Sequence, residues 1–108
     1  MISSPFTIMK DVITDINQRL SYIDIVDLNH SQQQSLTRLK TSLVDARLDI
    51  QDYELAETRQ DQVKNLNDAK DRLRLIDTYI VTNQLNVFSP TDVAHLTARI
   101  EQIRDLLK

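Results

Sequence analysis

Apolar and polar positions alternate at helical period along most of this chain. The longest such stretch runs from Gln32 to Asn86 and contains neither proline nor glycine. Within it Leu36, Leu39, Leu43, Ala46, Ile50 and Tyr53 recur in alternating steps of three and four. At ~100° per residue these positions form one stripe, about a third of a helix circumference wide. A second stripe of Val44, Leu48 and Leu55, with Thr37 and Thr41, lies roughly 140° round from the first. From Val63 the pattern resumes as Leu66, Ala69, Leu73, Ile76 and Ile80, with Leu75 and Tyr79 widening the face.

The two runs are out of phase. Extending the first past Tyr53 lands on Glu57, Gln60, Lys64, Asn67 and Asp71, all polar. A straight helix would turn its apolar face to water there, so a break is expected at about residues 57–61. Thr58 and Asp61 offer a capping box with Asp in place of the usual Glu or Gln. The competing arrangement is three helices with one long central helix, roughly 80 Å from end to end and carrying a stutter. It gains weight because no glycine stands ready to close the first half in the left-handed conformation.

The flanking segments read as one helix each. Ser4-Pro5 is a helix start, with Ser as N-cap and Pro at the first helical position. Phe6, Met9, Ile13, Ile16, Leu20 and Ile23 then carry the first helix to about Val26. Ser31 and Gln34 suggest a capping box that opens the central stretch. Ser89, Pro90 and Asp92 form the strongest local signal, with Phe88 and Val93 in hydrophobic-staple positions. The last helix follows with Val93, Leu96, Ile100, Ile103 and Leu107 on one narrow stripe. Helices at about 4–27, 31–57, 60–86 and 90–107, joined by short links, predict an all-α, four-helix up-down-up-down bundle. One domain is expected over residues 1–108.

Composition narrows the chemistry. Without glycine there is no P-loop and no dinucleotide fingerprint. Without cysteine there is no disulfide framework, thiolate chemistry or cysteine-bound zinc. No apolar run approaches the ~18 residues that span a bilayer, and the first residues lack a signal peptide's basic start and apolar core. A soluble, cytoplasmic protein without a membrane partner is expected. The net charge is −3: residues 1–57 carry five Lys or Arg against nine Asp or Glu, residues 58–108 eight against seven. Neither half is basic enough for a nucleic-acid partner.

Two sets of polar residues invite a chemical reading. Asp27/His30 and Asp92/His95 share an i, i+3 spacing, and a bundle would bring them to one end. Di-metal carboxylate bundles use Glu-x-x-His twice, with two further Glu; here Asp replaces Glu and Asp92 has a capping role, so surface histidines are expected. Glu54-Leu-Ala-Glu57 followed by Asp68-Ala-Lys-Asp71 resembles the Glu-x-x-Glu … Glu-x-x-Asp signature of the all-α, MazG-type nucleotide pyrophosphatases. That resemblance spans about eighteen residues. It implies Mg²⁺ held on Glu54, Glu57, Asp68 and Asp71 and hydrolysis of nucleoside triphosphates. Asp68 departs from the family's Glu, and the spacer between the pairs is short.

The expected function is a non-catalytic helical interaction module, a small subunit, adaptor or inhibitor, with no cofactor. The Mg²⁺-dependent pyrophosphatase is the alternative. A bundle helix needs one apolar arc, and the central helices have more. Val44, Leu48, Leu55, Leu75 and Tyr79 are therefore the candidate interface, and a homo-oligomer, a dimer first, is expected, with another protein as a further possible partner.

Overall fold

A computed structural model describes residues 4–82 and 88–108. The helices are α1 (Pro5–Ser21), α2 (His30–Leu55), α3 (Arg59–Thr82) and α4 (Pro90–Leu106), with a 3₁₀ turn at Ile25–Asp27. The expected all-α four-helix bundle is what the chain forms. Each helix touches its neighbours around the ring, α1 to α2, α2 to α3, α3 to α4 and α4 back to α1, with α2–α3 the broadest contact. The start of α1 lies beside the end of α2, where the Phe6 and Tyr53 rings meet edge to face with centroids 5.6 Å apart.

Helix ends follow capping chemistry, and here the structure moves several expected boundaries. α1 stops at Ser21 rather than near residue 27. The Tyr22 and Ile23 amides fall back on the carbonyls of Arg19 and Leu20, which tightens the last turn. Asp24 then caps the 3₁₀ turn by accepting from the Val26 amide at 3.0 Å. α2 starts at His30, not after Ser31. Its capping box is Asn29 with Gln32: the Asn29 side chain accepts from the Gln32 amide at 2.8 Å, and Gln32 Oε1 accepts from the Asn29 amide at 2.9 Å. Gln33 secures the link before it, donating to the carbonyls of Ile25 and Leu28.

The long central helix does not occur. α2 ends at Leu55, and Ala56 departs at φ −64°, ψ 129°, an extended conformation open to any residue. No left-handed glycine is needed for a helix to end this way. Thr58 Oγ1 accepts from the Asp61 amide at 3.1 Å and opens α3. The described residues extend over 45 × 28 × 19 Å, well short of an unbroken central helix. α4 has its full capping box, with Asp92 N–H to Ser89 at 3.1 Å and Ser89 N–H to Asp92 at 3.4 Å. The expected end of the third helix at residue 86 lies outside the described residues.

One continuous core fills the ring. It takes Met9, Val12, Ile13, Ile16 and Leu20 from α1 and Leu36, Leu39, Leu43, Ala46 and Ile50 from α2. α3 adds Ala69, Leu73, Ile76 and Ile80, and α4 adds Leu96, Ile100 and Ile103, with Leu28, Phe88 and Leu107 closing the ends. Val12 lies off the expected α1 stripe, because a helix wedged between two neighbours buries a wider arc. Val63, expected to resume the α3 stripe, is exposed. α4 ends beside Lys70, with Lys108 in the same groove, so nothing from α4 reaches the level of Val63.

An ion pair crosses each of the four lateral contacts. Lys10 meets Glu54 at 3.1 Å between α1 and α2, and Arg104 approaches Asp77 at 3.9 Å between α3 and α4. Asp15 of α1 pairs with Arg99 of α4. Between α2 and α3, Arg72 reaches Asp49 at 2.9 Å and Asp45 at 3.5 Å. The Arg72 pKa is raised, chiefly by the hydrogen bond to Asp49 and against the effect of burial. Its cationic form is favoured, so the pair persists on the arginine side until strongly alkaline pH. Partly exposed pairs of this kind contribute about 0–1 kcal/mol each.

Candidate functional site

On α2 the apolar residues divide between two faces, and only one of them is spent on the core. Leu36, Leu39, Leu43, Ala46 and Ile50 point inward and are buried. Val44, Leu48 and Leu55 face outward and remain 48%, 49% and 64% exposed. Val44 and Leu48 line a groove of about 350 Å³ between α1 and α2, walled on the α1 side by Thr14, Asn17, Gln18 and Ser21. Arg47 is the one charged residue lining it. It forms no ion pair among the described residues, and neither do Lys40 and Asp52.

The five expected interface residues do not make one patch. Leu55 is the last residue of α2 and continues the line of Val44 and Leu48. Leu75 is 46% exposed on α3, in a shallow depression with Asp68, Asp71 and Arg72. That depression lies on the far side of α2 from the groove, because Arg72 pairs with the opposite flank of α2 through Asp45 and Asp49. Tyr79 packs against the core as a partly buried residue. The surface the geometry assembles is therefore the α2 line with its α1 wall.

The carboxylates of the pyrophosphatase resemblance are spread over separate partners. Glu54 pairs with Lys10, Asp68 with Lys64 at 3.5 Å and Asp71 with Arg74 at 3.3 Å, while Glu57 is exposed in the α2–α3 turn. Among the described residues no group of three or more His, Cys, Asp or Glu is placed to hold a metal ion. Asp27 and His30 stand on either side of the Asn29 cap, and the His30 ring lies 3.1 Å from the Gln34 amide nitrogen. Asp92 caps α4, and His95 borders a cavity of about 180 Å³ with Arg19, Leu20, Tyr22, Phe88 and Leu96.

Sequence reasoning missed one surface feature. Tyr22, Ile25 and Val26 are exposed in the link after α1, with Val26 at 83%. Their run of apolar residues reads as a continuation of α1, and only the Asp24 cap, itself a recognisable turn residue, marks the chain as having left the helix.

The class defined by fold and surface is an all-α bundle whose second helix carries one apolar face into the core and another into solvent. Among the described residues no helix is long and apolar enough to cross a membrane. Comparison with protein-family models, with curated proteins and with solved structures finds no match to this chain.

Proposed function

We propose that this protein is a non-catalytic interaction module that associates through helix-to-helix contact on the outer face of α2. The observation that carries the reading is the exposure of Val44 and Leu48 along a groove, on a helix whose inner face already fills the core. Aligned exposed apolar residues on a small protein commonly mark an interface. A homo-oligomer is the proposed product, a two-fold dimer first, since that is the commonest closed form. Three of the four candidate carboxylates are paired with separate cations and Glu57 is exposed in a turn, which favours this role over metal-assisted hydrolysis. The cytoplasm is the proposed setting, on the cysteine-free composition.

Leu48→Glu combined with Leu55→Glu tests the proposal by light scattering and circular dichroism. The expected result is a wild-type particle heavier than the single chain of 12.5 kDa and a double variant at single-chain mass with unchanged helix content. A wild type that stays at single-chain mass at all concentrations, or a double variant that unfolds, overturns it.

A further inference from the structure

The outer face of α2 is a complete heptad seam. Thr37, Thr41, Val44, Leu48, Gln51 and Leu55 follow one another in alternating steps of four and three. All six lie within α2, and none is buried. This is the spacing that packs one helix against another along its length. Resting on the interaction reading above, we infer that the occupant of this seam is α2 of a second copy, aligned parallel and in register.

Two independent features select that arrangement. The first is the order of layers. In a parallel, in-register pair each seam residue meets its own copy, so Val44, Leu48 and Leu55 make three apolar layers and the polar residues meet polar ones. An antiparallel pair centred on the same seam sets Leu55 against Thr37 and keeps only the Val44–Leu48 contacts apolar.

The second feature is charge. Lys40 and Arg47 precede Thr41 and Leu48 and flank one edge of the seam, with Glu54, which pairs with Lys10, at its end; Asp45 and Asp52 follow Val44 and Gln51 and flank the other, with Arg38 at its start. Parallel pairing brings opposite edges together, with a five-residue offset across the interface. Lys40 then faces Asp45 of the second copy, and Arg47 faces its Asp52. Antiparallel pairing centred on the same seam brings like edges together and sets Arg47 near its own copy and Asp45 near its own, while Lys40 falls near Glu54 and Asp52 near Arg38. Among the described residues Lys40, Arg47 and Asp52 have no ion-pair partner, and Arg72 sits closer to Asp49 than to Asp45. Three of the four charges needed across the interface are thus unpaired among the described residues, and Asp45 would be shared with Arg72.

The natural chain has no cysteine, so single substitutions report pairing directly. Full-length Thr37→Cys and Gln51→Cys are each oxidised and run without reductant, and each is expected to form a dimer joined through its own single thiol. Antiparallel pairing would hold the two copies of position 37 roughly 27 Å apart at ~1.5 Å per residue, far beyond the ~7 Å Cα separation a disulfide tolerates. In parallel, Arg47→Glu and Asp52→Arg are each expected to weaken the dimer about tenfold by sedimentation equilibrium, and the two changes in one chain to restore it. Cross-linking of Thr37→Cys to Leu55→Cys in a mixture, with neither forming its own dimer, overturns the parallel pairing and leaves the docking face intact. Dimers that form by light scattering yet cross-link at none of these positions overturn it as well. A double charge variant no tighter than the single ones overturns the charge pairing. A wild type without dimers refutes the interaction reading itself.

Discussion

Asn29, not Ser31, fixes where α2 begins, and the choice shows how single side chains place helix ends. Both residues are good caps, and both stand three before a glutamine. What decides between them is Leu28, which is buried just before the cap and anchors the chain there. The Asn29 side chain serves an amide that otherwise has no helical partner. Asn29→Ala is therefore expected to lower stability by ~1 kcal/mol, whereas Ser31→Ala, inside the first turn, should change it by less than about 0.5 kcal/mol. Chemical denaturation of the two variants checks the ordering, and equal losses would mean both residues share the cap. The Ser89 box was legible without a structure because Pro90 follows it and leaves no competing start. At residues 29–34 two boxes compete, and only burial separates them.

Helix existence could be read from periodicity alone, and so could the hairpin between α2 and α3. The phase shift after Tyr53 is a tertiary constraint written in sequence, since one helix cannot present both stripes to one core. How α2 ends was less legible. The missing glycine suggested an unbroken helix, yet Ala56 turns out through an extended conformation that costs a non-glycine residue nothing. Small-angle scattering at low protein concentration is expected to give a longest dimension near the 45 Å span of the Cα atoms plus side chains. A value near the ~80 Å of a continuous helix would contradict the hairpin. The α1 boundary was misjudged for the opposite reason: Ile23, Ile25 and Val26 continue an apolar pattern after the helix has stopped. Pattern reports which residues seek burial. It does not report whether the backbone carrying them is helical.

At the scale of the molecule, α2 carries two apolar seams. Its inner seam closes the four-helix ring, whose lateral contacts are crossed by the ion pairs Lys10–Glu54, Asp15–Arg99, Asp77–Arg104 and Asp49–Arg72. Its outer seam is exposed, and we propose that it joins a second ring. Periodicity made both stripes visible, but not that Tyr79 packs against the core while Leu75 stays exposed away from the outer seam; their placement depends on how α3 rolls against α2. The most direct test of this division compares Leu43→Ala with Leu48→Ala, one residue from each seam, in sedimentation equilibrium at a temperature where both variants are folded. Leu43→Ala, at a fully buried position, is expected to lose about 2–5 kcal/mol of folding stability while its monomer–dimer constant stays at the wild-type value. Leu48→Ala is expected to keep its melting temperature at low concentration and to dissociate about tenfold more readily, the loss of roughly 1.4 kcal/mol of contact. If Leu48→Ala associates as tightly as the wild type, or if the two substitutions weaken association equally, α2 does not have separate folding and docking faces.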